Sequence, residues 1–411
     1  MLSNGKITHV LLASALILLV LVSTSSFAVH AQNKVKIGVI LPGRINDLAW
    51  NQAGYESMQR FLTKYSNEIE IMWVENIDEK AAIQEAARDY ISKGAQLIIG
   101  HGFEYQQPLE ELAILPEYAN VVFLVVGGFK LLPNLSNADV RTDQTGYILG
   151  YLAGKMTTNN KIGYVMGLRV AELARFEPNF AKGAHDANPA IGYDYGNVSS
   201  IIPGQKGIKP GGSISVVEIG DFHAVDKAKQ AAAAMAATGV DVIATMGDGV
   251  VLGTIQGAID SNVYLIGNGI DIATAPVSGA EKLVLASGSW RWDAIFEEWY
   301  KDWQNKQPSK LYWATMQNGG LKIDGPTAVV PDQTKNDVNN LVQQMVAGQI
   351  TTDECFPAGC QDHSEQATTV TETTTTAQPG FDMTTVGVVV VIIVVIAIAA
   401  FALRRRKPAK S

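Results

Sequence analysis

The 411-residue sequence predicts an α/β protein with two lobes, each built on a doubly wound parallel sheet. Apolar runs of strand length alternate with helix-like segments, and the alternation starts afresh near residue 161. Roughly 320 residues remain between the two chain ends, which is enough for two α/β lobes rather than one. The sequence is therefore interpreted as two consecutive βαβαβ halves.

The first half contains four apolar runs with the length and the flanking turns of buried strands. These runs are 35–40, 69–74, 96–100 and 121–126. Helical patterns are found at 78–93, 107–118 and 144–156. The last of these helices has small residues that permit close packing against a neighbour.

The second half repeats the pattern with five further strand candidates. These candidates are 161–166, 215–219, 241–245, 263–266 and 282–287. Helices are expected at 224–237 and from Trp290 onward. A single large Rossmann-type enzyme domain fits this number of strands as well, so the strand count leaves that alternative open.

The two chain ends have the features of an exported and anchored protein. Residues 1–31 have the pattern of a secretory signal peptide, with an uncleaved N-terminal anchor as the alternative. Residues 386–403 form an apolar run long enough for a transmembrane helix. The basic tail 404–411 stays in the cytoplasm by the positive-inside rule, and the Thr-rich segment within 351–385 is typical of a solvated stalk. The sequence thus predicts a single-pass protein of the cell membrane with an extracellular ectodomain.

Cys355 and Cys360 are the two cysteines of the chain. In an oxidising compartment they predict a small disulfide loop, and a metal site with Asp362 and His363 is the open alternative. The formal net charge is −8 and there is no basic stripe, which argues against nucleic-acid binding. We expect no cofactor.

Polar and aromatic residues follow the predicted strands at their carboxyl ends, where open parallel sheets bind ligands. Asp47, Trp50 and Asn51 stand where the first helix should begin. An acid, a flat aromatic ring and an amide together suit a polar, planar small molecule. The alternative is a capped helix with one exposed Trp and a turn Asn.

Two glycine-rich loops supply further candidates. In GHGFEYQQ, Phe103 is either a wall of the site or a core residue, and Gln107 is expected to face the cleft. The loop MGDGVVLG lacks the residues of a phosphate-binding loop, so Gly247, Asp248 and Gly249 predict close approach to a neutral ligand. Asp248 is alternatively only a charge at a helix N-terminus.

The loop GNGID places Asn268 and Asp271 after a strand. A carboxylate accepts two hydrogen bonds from a vicinal diol, which suits a ribose, while a simple Asn-Gly turn is the equal alternative. We expect Trp50, Gly247 and Asp271 to line one cavity between the lobes. The sequence lacks G-x-S-x-G, H-E-x-x-H and CxxC patterns, so no catalytic residue is predicted.

The segment DLAWNQAGYE at 47–56 resembles the D-x-S-F-N-x-x-A-x-x-G signature of the basic membrane protein family. The resemblance extends over residues 35–350, through GHGF at 100–103, TGYILGYLAGKMT at 145–157, FAKGAHDANP at 180–189 and TGVDVIATMGDGVVLG at 238–253. Members of this family are substrate-binding proteins of ABC importers and include the purine nucleoside receptors.

The resemblance implies a type I periplasmic-binding-protein fold, in which crossover hinge segments join two lobes that close on a nucleoside. It implies that Trp50 clamps the base, that Asn51 reads the base edge, and that Asp271 or Asn268 contacts the ribose. The expected lobes are 34–142 with 266–316 and 143–265 with 317–350.

Three positions depart from the family pattern. A family lysine falls on Trp290, one family acid falls on Gln107, and another falls on Gly127 and Gly128. Each change replaces a charged residue with a neutral one, and Trp290 can stack on a ring or on a sugar face. The C-terminal anchor resembles that of archaeal solute receptors.

The sequence therefore predicts a membrane-anchored binding protein, not an enzyme, that delivers a nucleoside-like solute to an ABC permease and its ATPase subunits. Hinge closure between the lobes would present the loaded form to the permease. A sugar or another polar metabolite is the alternative ligand. A surface enzyme or a sensory receptor for such a metabolite is the alternative class of protein.

Overall fold

The computed structural model describes residues 34–202 and 204–352. The predicted signal peptide, stalk, C-terminal apolar run and cysteine pair lie outside these residues. Within the described ranges, no helix is both long and apolar enough to cross a membrane. The described strands form two six-stranded sheets and one small hairpin.

The first sheet takes five of its six strands from the first half of the chain. They are β1 (Val35–Ile40), β2 (Ile69–Val74), β3 (Ala95–His101), β4 (Val122–Val126) and β5 (Leu135–Val140), and the sixth is β13 (Leu311–Ala314). The order β13-β5-β4-β3-β1-β2 is parallel throughout. The helices of this lobe are α1 (Trp50–Lys64), α2 (Lys80–Ser92), α3 (Gln106–Ala113) and α8 (Trp292–Gln304).

The second sheet has the same plan with one reversed edge strand. Its strands are β6 (Ile162–Met166), β9 (Ile214–Glu218), β10 (Val242–Met246), β11 (Tyr264–Gly269), β12 (Val284–Trp290) and β14 (Leu321–Asp324). The order is β14-β12-β11-β10-β6-β9, and β14 runs antiparallel to β12. The hairpin pairs β7 (Tyr195–Asn197) with β8 (Lys206–Ile208), and the helices are α4 (Thr142–Met156), α5 (Ala171–Ala187), α6 (Val225–Ala237), α7 (Asp248–Ser261) and α9 (Asp332–Val346).

These sheets confirm the predicted fold class, but one of the three expected crossings between them lies elsewhere in the chain. The prediction placed 266–316 in the first lobe, whereas β11 pairs with β10 and β12 pairs with β11 in the second sheet. The crossings fall at 140–142, 290–292 and 314–321, so only the crossing expected near residue 266 is displaced. Apolar runs mark strands in a sequence, yet only inter-strand hydrogen bonds decide which sheet a strand joins.

Strand β5 was not predicted because half of its residues are polar, although all six are buried. Its Asp139 pairs with Arg175 of α5, with 2.8 Å between Nη2 and Oδ2, and Arg175 also donates to the Val140 carbonyl. A buried carboxylate requires such a partner because removal from water penalises its charge. This ion pair joins the two lobes beside the first crossing.

Helices α4 and α5 pack so closely that glycines form their contact. A Cβ added at Gly150 would lie 2.0 Å from the Phe180 carbonyl oxygen, and one at Gly183 would lie 2.0 Å from that of Tyr147. Neither position has room for a side chain. The small residues noted at 144–156 therefore serve this helix contact.

Candidate functional site

A cavity of about 150 Å³ lies between the two sheets, where loops from the carboxyl ends of their strands meet. Its walls combine aromatic rings with carboxyl groups. The rings belong to Trp50, Phe103, Phe222 and Trp290, and the carboxyl groups to Asp78, Glu104, Glu172 and Asp248. The location agrees with the rule that parallel sheets bind ligands beyond the carboxyl ends of their strands.

Trp50 is held in place by reciprocal hydrogen bonds with His101. The indole Nε1 donates to the His101 carbonyl at 2.9 Å, and His101 Nε2 contacts the Trp50 carbonyl at 3.1 Å. Burial lowers the pKa of His101 to about 4, so the ring is neutral. The edge-on ring of Trp290 lies 5.6 Å from that of Trp50, measured between centroids. These contacts make the aromatic wall rigid before any ligand arrives.

The carboxyl groups of Glu104, Glu172 and Asp248 have pKa values above the ordinary range. Burial raises the pKa of Glu104 to about 7, and it raises the pKa of Glu172 to about 7 together with the charge of Asp139. Burial also raises the pKa of Asp248 well above its ordinary value, and the Asp47 charge adds to this effect. Desolvation and mutual repulsion both disfavour the anionic forms.

Asp47 and Asn51 are structural rather than exposed to the cavity. The Asp47 carboxylate accepts from the backbone N–H groups of Ala49, Asn51 and Gln52, at the start of α1. Asn51 is buried, donates to Asp47 at 2.6 Å and accepts from the Gly43 N–H at 2.9 Å. The capped-helix alternative describes both residues, because their polar atoms are already used within the loop.

The three candidate residues in the loop at the start of α7 have two different roles. Gly247 lines the cavity with φ = 123°, a conformation that side chains of L-residues rarely adopt. Asp248 lines the cavity as well. Gly249 instead allows close approach to protein, because a Cβ there would lie 2.9 Å from the His223 carbonyl oxygen. Of the three loop residues expected to approach a ligand, only Gly247 and Asp248 line the cavity.

Asp271 does not share the cavity with Trp50 and Gly247, contrary to expectation. It lines a second cavity of about 100 Å³, together with Arg291 and Asp324, and Trp290 forms a wall of both cavities. The Asp271 carboxylate also accepts from the Ala273 N–H at 3.0 Å, which caps a short helical turn. The sequence could not reveal that Trp290 stands between the two loops.

Two other predicted residues lie away from both cavities. Asn268 is fully buried, and its amide atoms have no hydrogen-bond partner in the described part of the chain. Gln107 is exposed and donates to Glu111 at 3.1 Å. Phe103 and Trp290, in contrast, both line the main cavity.

Sequence reasoning missed several charged and aromatic residues that line the main cavity, among them Asp78, Glu104, Glu172, Phe222 and His223. Each follows a strand of one of the two sheets, so the loop rule that led to Trp50 also applied to them. Glu172 also lies close to Gly127, one of the positions at which this chain lacks a charged residue of the family pattern. A Cβ at Gly127 would lie 3.4 Å from Glu172 Oε1, so the second lobe supplies a carboxyl group beside the strand end that lacks one.

Two lobes that enclose a cavity between their loops define a solute-binding protein of the periplasmic-binding type. The model of the family described as ABC transporter substrate-binding protein, PnrA-like, matches residues 34–201 and 202–354, and the chain belongs to this family. The predicted family resemblance is thereby confirmed. The family consists of substrate-binding proteins that act with ABC transporters.

Individual relatives are distant in sequence. A purine-binding protein of Brucella abortus is 24% identical over 79% of this chain and 84% of its own length. A putative ABC transporter glucose-binding protein of Haloferax volcanii is 24% identical over 74% of this chain and 70% of its own. The solved ABC transporter solute-binding protein of Conexibacter woesei superposes with a TM-score of 0.61 at 20% identity, covering 78% of this chain and 99% of that one. This structural likeness supports the fold.

Proposed function

We propose that this protein captures a purine base or nucleoside in the cavity between its lobes and delivers it to an ABC permease. The observation that carries this ligand class is the pairing of rigid aromatic rings with carboxyl groups in one cavity. A heterocycle offers a flat face to the rings and N–H donors to the carboxyl groups. The purine-binding relative in Brucella abortus supports the same class.

The volumes of the two cavities suggest which part of a nucleoside each cavity would hold. The main cavity, at about 150 Å³, is smaller than the range of about 300–1,000 Å³ typical of ligand pockets. We assign it the base. The second cavity lies across Trp290 and presents Asp271 and Asp324, whose carboxylates can accept hydrogen bonds from hydroxyl groups. We assign it the sugar.

Trp50→Ala is expected to weaken purine binding and leave the fold intact. Stacking of a base on an aromatic side chain contributes about 1–3 kcal/mol, so the dissociation constant should rise roughly five- to 150-fold. Isothermal titration calorimetry of the full-length chain against adenine, adenosine and guanosine measures this change.

Trp73→Ala is the matched control, since Trp73 is 38% exposed on β2 and packs on Tyr55 outside the cavity. Both variants should give the circular dichroism spectrum of the parent. Equal purine affinity in the parent and in Trp50→Ala would disprove the assignment of the base to this cavity.

A sugar is the second candidate ligand. The polar second cavity favours it, with Asp271, Asp324 and the indole of Trp290 on which a sugar face could stack. The glucose-binding relative in Haloferax volcanii gives independent support. A thermal-shift screen of purines against hexoses separates the two, because only a bound ligand raises the melting temperature.

We further propose that residues 386–403 anchor the protein in the cell membrane, with the basic tail inside and the binding lobes outside. The apolar run followed by Arg404, Arg405 and Arg406 supports this orientation. Removal of residues 386–411 is expected to transfer the protein from the membrane fraction to the medium or the soluble fraction. A truncated protein that stays with the membrane would contradict the anchor.

A further inference from the structure

We propose that the cavity selects a solute that bears a positive charge, such as a cationic purine or another flat cationic heterocycle. This proposal rests on the proposed function in one respect, since it takes the same cavity as the ligand site. It departs from the neutral ligand that the glycine-rich loop at 246–253 predicts. The observations are the charge of the walls, the state of Glu172 and the aromatic rings.

The charged groups of the cavity wall are almost all acidic. The described residues that line it include four carboxyl groups and no lysine or arginine, and His223 is the one basic side chain. The nearest guanidinium groups already have partners of their own. Arg169 pairs with Glu177 and Glu218, and Arg175 pairs with Asp139.

Glu172 is the strongest evidence that a charge partner is missing. Its side chain lines the cavity, yet only 6% of its surface is exposed. Within the described part of the chain it forms no ion pair, and no other residue donates a hydrogen bond to its carboxyl group. A carboxyl group that is buried in this way either keeps its proton or acquires a cation.

The other carboxyl groups face the same cavity from different elements. Glu104 lies between β3 and α3, Asp78 precedes α2, and Asp248 begins α7. Neither Glu104 nor Asp248 has an ion-pair partner among the described residues. Since the groups come from both lobes, lobe closure brings like charges together, and a cation placed between them would remove that repulsion.

The aromatic rings of the cavity also favour a cationic ligand. Trp50, Phe103, Phe222 and Trp290 surround the same space. A cation over an aromatic face gains about 0.5–2 kcal/mol, and indole is the best of these rings. A bare metal ion is a poorer match, because the described residues contain no group of three or more ligating side chains arranged to hold one. An organic cation with a flat ring uses both the charge and the rings.

The proposal predicts that the affinity for a cation rises with pH. The groups that influence Glu104 and Glu172 through space are Asp78, Asp139, Arg175, Asp248 and each other. Both glutamates have pKa values raised to about 7, so below pH 7 a cation must displace their protons. Affinity should therefore increase about tenfold or more from about pH 5.5 to about pH 7.5. A neutral ligand should show no comparable rise.

The test is calorimetric titration of the full-length chain with matched pairs of probes. Adenosine is compared with 1-methyladenosine, which is a cation at neutral pH, and nicotinamide with the cation 1-methylnicotinamide. Inosine and 1-methylinosine, both neutral, control for the added methyl group. We expect each cation to bind at least about tenfold more tightly than its neutral partner, because a nearby opposite charge is worth about 1–3 pKa units.

Two variants locate the effect. Glu172→Gln should remove most of the preference for the cation, so that 1-methyladenosine and adenosine bind this variant with nearly equal affinity. Glu117→Gln, at an exposed glutamate that lines none of the described cavities, should change neither.

The outcomes separate this proposal from the purine assignment. Purine binding without preference for the cation overturns the charge proposal and leaves the proposed function standing. Binding of 1-methylnicotinamide without any purine supports the charge proposal and overturns the purine assignment. Absence of binding by both cations overturns the charge proposal whatever the neutral purines do.

Discussion

Arg175→Ala is expected to lower the free energy of unfolding by about 3–5 kcal/mol, because it leaves the Asp139 carboxylate buried without its counter-ion. The pair is buried, is joined at 2.8 Å, and connects β5 of one lobe to α5 of the other. The guanidinium also lies 5.0 Å from the centre of the Trp313 ring. Urea denaturation followed by circular dichroism measures the loss.

Lys182→Ala provides the comparison on the same helix. Lys182 forms an exposed ion pair with Asp186 one turn away, which is worth about 0.3–0.5 kcal/mol. A loss at Arg175 as small as the loss at Lys182 would show that the inter-lobe pair does not stabilise the fold. Because Asp139 adjoins a crossing between the lobes, the Arg175 variant should also show an increased radius of gyration in X-ray scattering.

Gly150→Ala is expected to destabilise the protein by about 1–3 kcal/mol or more, although alanine favours helices over glycine by about 1 kcal/mol. The added methyl group would meet the backbone of Phe180 at 2.0 Å, and a backbone carbonyl cannot turn away as a side chain can. Helices α4 and α5 would have to separate. The midpoint of urea unfolding measures the effect.

Gly192→Ala is the matched control, because no atom lies within 4 Å of a Cβ built there. That variant should unfold at nearly the urea concentration of the parent. A stabilised Gly150→Ala protein would mean that helix propensity outweighs the contact, and it would refute the close packing of α4 on α5.

The secondary structure could be predicted wherever a run of apolar residues was bounded by clear turn residues. The run 35–40 is apolar and bounded by turns, and it forms β1 with the predicted bounds. In contrast, β5 was missed because Asp139 and Asn137 break the apolar pattern. Their burial depends on partners such as Arg175, which is distant in sequence. The local pattern of apolar and polar residues indicates where apolar side chains are buried, but it cannot indicate where charged side chains are buried as ion pairs.

The candidate site was predicted in its position and only partly in its residues. The rule for strand ends selected Trp50, Phe103 and Gly247, which all line the main cavity, since the rule requires only strand order and direction. It could not distinguish Asp47, which caps a helix, from Glu104, which lines the cavity, because both follow a strand. The direction of a side chain depends on the hydrogen bonds available to it after folding.

The sequence alone specified the α/β class, the family and the region of the chain that forms the cavity, because periodicity and motif order are local properties. Only the tertiary structure decided which sheet β11 and β12 join, and that Trp290 separates Asp271 from the main cavity. It also brought Glu172 and Asp248 of one lobe opposite Glu104 of the other. Residues that are far apart in the chain become neighbours in space only after folding. These spatial neighbours determine how deeply a side chain is buried and how strongly its charge is repelled, so neither property can be predicted from the adjacent residues in the sequence.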